Sequence, residues 1–362
     1  MFELPARWPS AFAALPYTAL YRQQPADFVV EEELGFEPEG QGEQVFVWVE
    51  KNNLSTAYVA EQLARLAQIH PKQVSYSGIK DRTAITRQWF SLHLAGQPTP
   101  EAAALSGSGW QVLACQRHPR KLKRGTHRQN RFVLRLTLAP LSNEVEQQQR
   151  AIWLAERWQQ LCAQGVPNYF GPQRFGVAGR NLHLAQQLME GRPLKRQQKS
   201  FALSALRSAL FNDFLAQELR AGRWNQAYSG DIFCLRASRS FFTSQLDEDA
   251  AALQARLDQG DLDRAGPLVG AGRYPVQGQM AEQYDQWQAR YPAECAFLAA
   301  QGLRTEPRPL RVGLIDPHWS LTDDQLQLSF ALPAGSFATA VLAELLHAED
   351  AQLRPSADLH QE

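Results

Sequence analysis

The chain has 362 residues, 44% of them hydrophobic and 20% charged, with 37 basic and 37 acidic side chains. That length suits two domains, or one domain carrying a large insertion, and is ample to bury a core. The neutral balance excludes a global pull toward polyanions, so any such affinity must come from local clustering.

Four separated cysteines (Cys115, Cys162, Cys234, Cys295) form no Cys-x-x-Cys pair, and the eight histidines lack ligand spacing, which argues against a metal site. Scattered cysteines fit reduced thiols and a cytoplasmic location. The opening Met1-Phe2-Glu3-Leu4-Pro5 lacks a basic region followed by an apolar run, and no apolar stretch is long enough to cross a bilayer. The expectation is a soluble cytoplasmic protein with no membrane or metal partner, and a monomer.

Residues 28–50 read as strand. Val45, Val47 and Val49 alternate with Phe46 and Trp48, so both faces are apolar and the strand is expected to be buried. Pro38, Gly40 and Gly42 mark a turn over 37–44. Ser55 is the expected N-cap of a helix carrying Val59, Leu63 and Leu66 at helical spacing. A short strand over 74–77, a strand through Phe90, Leu92 and Leu94, and another through Phe132, Leu134, Leu136 and Leu138 follow. From residue 144 the texture is helical (144–164, 180–190, 200–221 and 280–301), with a mixed, glycine-rich stretch over 222–275. Alternation returns with Leu326, Leu328 and Phe330, and a last helix follows Gly335 with Ser336 as its N-cap. Sheet at both ends and helix between them imply an α+β fold with an inserted domain.

Arg117, Arg120, Lys121, Lys123, Arg124, Arg128, Arg131 and Arg135 occur with no carboxylate among them. Such a run suits an RNA backbone or is a solvated loop before a strand. Gly125 inside it permits close approach of a phosphate, and Phe28, Trp89, Phe132 and Tyr169 are available for stacking.

The stretch "SGIKDRTAITRQWFS" at residues 77–91 places Lys80, Asp81 and Arg82 directly after a glycine, between two strands. A turn needs only the glycine. It resembles the Gly-x-Lys-Asp-x-x-Ala-x-Thr-x-Gln signature of the TruD family of tRNA pseudouridine synthases, filled here by Gly78, Lys80, Asp81, Ala84, Thr86 and Gln88. Four further blocks resemble the same family in order. They are the Asp27-Phe28-x-Val30-x-Glu32 segment, the basic stretch ending in Asn130-x-Phe132, "GVPNYFGPQRFG" at 165–176, and "LPAGSFAT" at 332–339. Gln44 stands where many members have His, and the basic stretch is less glycine-rich than usual.

The resemblance implies isomerisation of a tRNA uridine to pseudouridine, uridine 13 being the usual target, with no cofactor. The bond from ribose C1′ to uracil N1 breaks, the base turns, and C1′ rejoins at C5. One ionised carboxylate is required. By position this is Asp81, as nucleophile or in a glycal route; its plain alternative is a turn cap. Lys80 and Arg82 are adjacent to Asp81, but adjacent side chains on an extended segment point opposite ways, so the counter-ion can come from elsewhere; the resemblance implies Arg22, where the family has a basic residue. The resemblance places Phe28 and Phe337 against the substrate. Asn130 can bond a uracil edge, and Lys80 and Phe132 complete the substrate-binding set. Core packing competes for Phe28 and Phe132, and a turn role for Asn130.

The implied architecture is a pseudouridine synthase catalytic domain with a mixed or antiparallel sheet from residues 1–160 and 305–362, and an inserted, mostly helical TruD-specific domain over 161–304. Its partner is tRNA, whose target base is flipped out of the stack. An inactive RNA-binding module would not need Asp81, and a glycoside-type hydrolase would want a second carboxylate.

Overall fold

The computed structural model describes residues 4–12, 16–236, 238 and 240–353. Strands β1 (Thr18–Tyr21), β2 (Phe28–Glu33) and β3 (Gln44–Asn52) lead to helix α1 (Thr56–Leu66), then β4 (Val74–Tyr76), β5 (Ile85–His93), β6 (Trp110–His118) and β7 (Gln129–Leu138). Helix α2 (Glu144–Gln164) and strand β8 (Val166–Pro167) precede α3 (Arg180–Met189) and α4 (Arg196–Arg220). Then come β9 (Ile232–Leu235), β10 (Phe241–Thr243), α5 (Ala250–Asp258), β11 (Leu262–Leu268), α6 (Gly278–Gln288) and α7 (Pro292–Ala300). The chain ends with β12 (Glu306–Pro309), β13 (Arg311–Val312), β14 (Ile315–Thr322), β15 (Gln325–Pro333), α8 (Ala338–Leu345) and β16 (His347–Asp350).

Two compact units result. One comprises Leu15–Arg157, Leu314–Gly335 and Leu346–Glu362, the other Met1–Ala14, Trp158–Gly313 and Ser336–Leu345. The first is built on a ten-stranded sheet ordered β14-β15-β7-β2-β5-β3-β6, with β1 joining β7 to β16 and β4 on β5. Only β2–β5 and β1–β16 are parallel, so the sheet is mixed and draws strands from both ends of the chain, as the alternation predicts.

Helix α1 starts where expected: Ser55 Oγ accepts from the Tyr58 amide. Its Val59 and Leu63 pack onto Val45, Val47, Val49, Phe90 and Leu92, all at 0% exposure, and form the core on that side of the sheet. Each such side chain contributes at most about 1.5–3 kcal/mol by leaving water. Register then sets the polar chemistry. Along β2 and β7, Phe28 faces Leu134, Val30 faces Phe132, and Glu32 faces Asn130.

The second unit carries α3 to α8, a four-stranded antiparallel sheet β10-β9-β11-β12, and the small pair β8–β13. The helix expected over 280–301 is two helices, because Pro292 takes the first position of α7 and lacks the amide to continue α6. The final helix begins at Ala338, with Ala340 N donating to Phe337 O, so Phe337 and not Ser336 precedes it. The glycine-rich stretch over 222–275 supplies β9, β10, α5 and β11.

Strand β11 buries two charges. Arg264, 3% exposed, donates to both Asp231 and Glu218, while Asp263 accepts from Arg236 and Arg311. Replacing one member of such a cluster strands the others in a dry interior. Arg264→Met should therefore lower unfolding stability by about 3–5 kcal/mol in urea titrations. Replacing Arg264, Glu218 and Asp231 together by apolar residues should recover most of the loss. A single variant within 1 kcal/mol of wild type would contradict this (roughly the value of an exposed pair).

Candidate active site

The loop over 77–84 carries the Lys80-Asp81 dipeptide between β4 and β5, and side chains from three directions fix it. Thr56, at the start of α1, accepts from the Lys80 amide at 3.0 Å and donates to Gln88 Oε1 at 2.9 Å. Gln88 Nε2 donates to Gly78 O at 3.1 Å. Lys51, at 0% exposure, donates from Nζ to the main-chain oxygen of Asp81 at 2.7 Å. A Cβ at residue 78 would come within 3.2 Å of His127 Cε1 and 3.4 Å of Lys80 Nζ, so glycine lets the loop lie close to both.

With its main chain held, Asp81 turns its carboxylate outward, leaving 30% of the side chain accessible. Arg22 meets it: Nη2 lies 2.7 Å from Asp81 Oδ2 and Nη1 lies 3.1 Å from Asp350 Oδ2 on β16. The guanidinium carbon sits 3.9 Å from the centroid of the Phe28 ring. Arg22 reaches this position with φ at +59°, left-handed backbone that few non-glycine residues adopt. The cation expected to accompany Asp81 is thus brought to it from the residue that follows strand β1. Burial, reinforced by the Asp350 carboxylate, pushes the neighbouring Tyr21 phenol up.

Lys80 and Asn130 lie behind the carboxylate. Lys80 Nζ is 2.7 Å from Glu32 Oε2 and donates to Asn130 Oδ1 at 2.7 Å. Asn130 Nδ2 approaches His127 Nε2 at 3.3 Å, and His127 Nδ1 is 2.5 Å from Ser77 Oγ. Burial pushes the Glu32 carboxyl up and the Lys80 ammonium opposes that shift. Lys80 and Asn130 are 7% and 8% exposed, so both hold the loop from inside the fold.

The aromatic candidates are largely enclosed. Phe28 is 2% exposed and meets Phe132 at 6.3 Å between centroids; Phe132 is 6% exposed and also meets Phe330 at 5.7 Å. Phe337 belongs to the other unit, where its ring meets Phe170 edge-on at 5.7 Å and the Arg174 guanidinium at 5.6 Å. Arg174 donates to Ser204 Oγ at 2.9 Å rather than to a carboxylate.

A reading of the sequence does not single out Thr56, His127 or Asp350 as site residues, whereas Lys51 is the lysine of the family-like segment and continues the alternation of Val45, Val47 and Val49 onto the buried face. Among the described residues no group of three or more His, Cys, Asp or Glu could hold a metal ion, and no helix is long and apolar enough to cross a membrane.

Burial lowers the Lys51 ammonium from 10.5 to about 8, with the Asp81 charge opposing and the Lys80 charge adding to the shift. Between those values the unfolded chain binds more protons than the folded one, so stability rises with pH. Relative to Lys51→Met, wild type should gain on the order of 2 kcal/mol between pH 7.5 and 10, measured by denaturant titration at each pH. A difference that stays flat across that range would mean that Lys51 keeps its water-like affinity for a proton.

Comparison with known proteins bears on this arrangement. The sequence profile of the family described as "tRNA pseudouridine synthase D (TruD)" matches residues 16–194 and 188–345. The tRNA pseudouridine synthase D of Chromohalobacter salexigens is 43% identical over 346 residues, covering 94% of this chain and 97% of that protein. The one from Pseudomonas aeruginosa is 42% identical over 352 residues, covering 95% of each. A crystal structure from Methanosarcina mazei assigned to TruD superposes with a TM-score of 0.69 at 19% identity, covering 93% of this chain and 95% of its own, and so shares the fold. Matched over nearly its full length by the family profile and by these relatives, the chain belongs to the tRNA pseudouridine synthase D family of RNA-modifying isomerases.

Proposed function

We propose that the protein converts a uridine of tRNA, uridine 13 by family expectation, to pseudouridine, with Asp81 as the nucleophile. The observation that carries this reading is the Asp81 carboxylate itself, reachable from solvent and gripped by a buried arginine on a loop fixed from three sides. Arg22 Nη2 donates to Asp81 Oδ2 at 2.7 Å and so fixes the direction in which the carboxylate, the attacking group, points.

In this reading Asp81 adds to C1′ as the C1′–N1 bond breaks and the freed uracil keeps the electron pair at N1. The base turns, C5 attacks C1′ and displaces the carboxylate, C5 gives up its proton and N1 takes one. Atoms and electrons balance within the nucleotide, so the net reaction calls for no donor, oxidant or cofactor. Rigid placement of nucleophile and base supplies much of the rate.

In this reading residues 1–160 and 305–362 form the catalytic domain, which holds the ten-stranded sheet, and residues 161–304 are the family's insert. Arg22 orients Asp81, while Lys80 and Asn130 set the loop and the uracil edge. Phe28 and Phe132 form the aromatic wall behind the base, and Phe337 is a further aromatic contact for the RNA. The flipped base is the one the enzyme acts on. The protein acts as a monomer in the cytoplasm.

Rejoining at C5 must expel the hydrogen there, so tritium release from tRNA labelled at uracil C5 tests the proposal. Asp81→Asn should bind tRNA as wild type does and release label more slowly by on the order of 10³-fold or more. Equal release by both proteins would remove Asp81 from the chemistry. Binding without release by wild type would identify an RNA-binding module, and free uracil a hydrolase.

A further inference from the structure

Within the sheet unit, the basic run of residues 117–135 separates into two sets. Arg117 is used in the fold, donating to Thr99 Oγ1, Gly42 O and Leu94 O. Arg131 pairs with Glu33 and Asp316, and Arg135 donates to Gln327. His118 and His127 are buried, at 5% and 6% exposure. Among the described residues, the ion pairs made by the run's Arg and Lys side chains are those of Arg131. Arg120, Lys121, Lys123, Arg124 and Arg128 are exposed, and of these Lys121, Lys123 and Arg124 line a single cleft of about 480 Å³.

The opposite walls of that cleft are not basic. Ala57 and Ala60 on α1 and Val74 on β4 give it an apolar side, and Tyr76 adds an aromatic ring. Phe90 backs that ring edge-on at 5.7 Å, and the Arg124 guanidinium lies 5.4 Å from its centroid. Glu61 is the one carboxylate in the lining.

The basic wall is anchored. Leu122, 2% exposed, donates its amide to Ser91 Oγ, the Gly125 amide donates to Ser77 O at 2.9 Å, and Lys121 Nζ donates to Lys72 O at 3.2 Å. Gly125 sits at φ +76°, which explains a glycine there by the turn alone.

An anchored set of cations facing an aromatic ring and an apolar surface, in a volume within the 300–1,000 Å³ of ordinary ligand sites, matches a nucleotide better than a free phosphate. We infer that the cleft between α1 and residues 121–124 is a second nucleotide subsite. It would hold one unpaired nucleotide of the RNA outside the Asp81 site, base toward Tyr76 and α1, phosphate toward Lys121, Lys123 and Arg124. None of its lining residues belongs to the Asp81 constellation. The inference rests on the reading of the protein as a tRNA-modifying enzyme.

Two variants test it, each checked for an unchanged thermal midpoint. Lys121→Glu/Lys123→Glu reverses charge, whereas Ala57→Trp fills the cleft from an exposed helix position without changing charge. Tritium release from labelled tRNA gives KM and kcat, and fluorescence anisotropy of labelled tRNA gives Kd against salt. Both variants should raise KM and Kd by about 10-fold with kcat within about twofold, since the loss is in binding rather than chemistry. The charge reversal should also flatten the salt dependence of log Kd by about 2, and Ala57→Trp should leave the slope alone.

If Ala57→Trp binds as wild type while the charge reversal weakens binding, the loop is only an electrostatic surface and the subsite is overturned. Unchanged binding in both variants overturns it as well. Absence of release by wild type would overturn the enzymatic reading instead, and the Kd comparison would still decide the cleft.

Discussion

The Lys80–Glu32 pair governs how the candidate site is built. Both side chains are almost fully enclosed, and a lysine rarely leaves water without an anionic partner. Because Glu32 is fixed on β2 and faces Asn130 across the ladder to β7, Lys80 has one place to go. Lys80 turns inward to this pair, while the next residue, Asp81, presents its carboxylate outward.

Around that decision the structure adds restraint in layers. Thr56 and Gln88 settle the amide and carbonyl on either side of the turn, and Lys51 settles the carbonyl of Asp81. Arg22 then addresses the carboxylate from a backbone conformation that carries strain, which only a firmly packed surrounding sustains. Helix α1 contributes to two functions at once, with its first residue gripping the loop and its outer alanines lining the cleft beside the basic loop.

Much of this was legible in the sequence where one physical rule dominates. Strands with strict alternation, such as β7, and helices with an unambiguous cap, such as α1, follow directly from their patterns. The family signature pointed to Asp81 and Arg22, and the fold brings them into contact. What escaped depends on partners distant in the chain. Strand β11 reads Leu-Asp-Arg-Ala-Gly-Pro-Leu, and no local rule buries its Asp263 and Arg264. They are inside because Glu218, Asp231, Arg236 and Arg311 arrive from elsewhere to compensate them. His127 was likewise hidden among cations that looked alike until the fold sorted the enclosed from the exposed.

The grip on Arg22 also has a place in time. One of its two carboxylates, Asp81, lies 59 positions along the chain, and the other, Asp350, lies 328 away. The strand bearing Asp350 pairs with β1, and β15 pairs with Gln129–Thr137 of β7, so the sheet is completed only after β15 and β16 have been synthesised. At a synthesis rate of roughly 5–20 residues per second, β1 and β7 therefore wait on the order of ten seconds or more with exposed edges. During that interval the nascent chain lacks the second anchor of its arginine. Synthesis thus has to pass Asp350 before this site is assembled, and the open edges are where a chaperone would have most to protect.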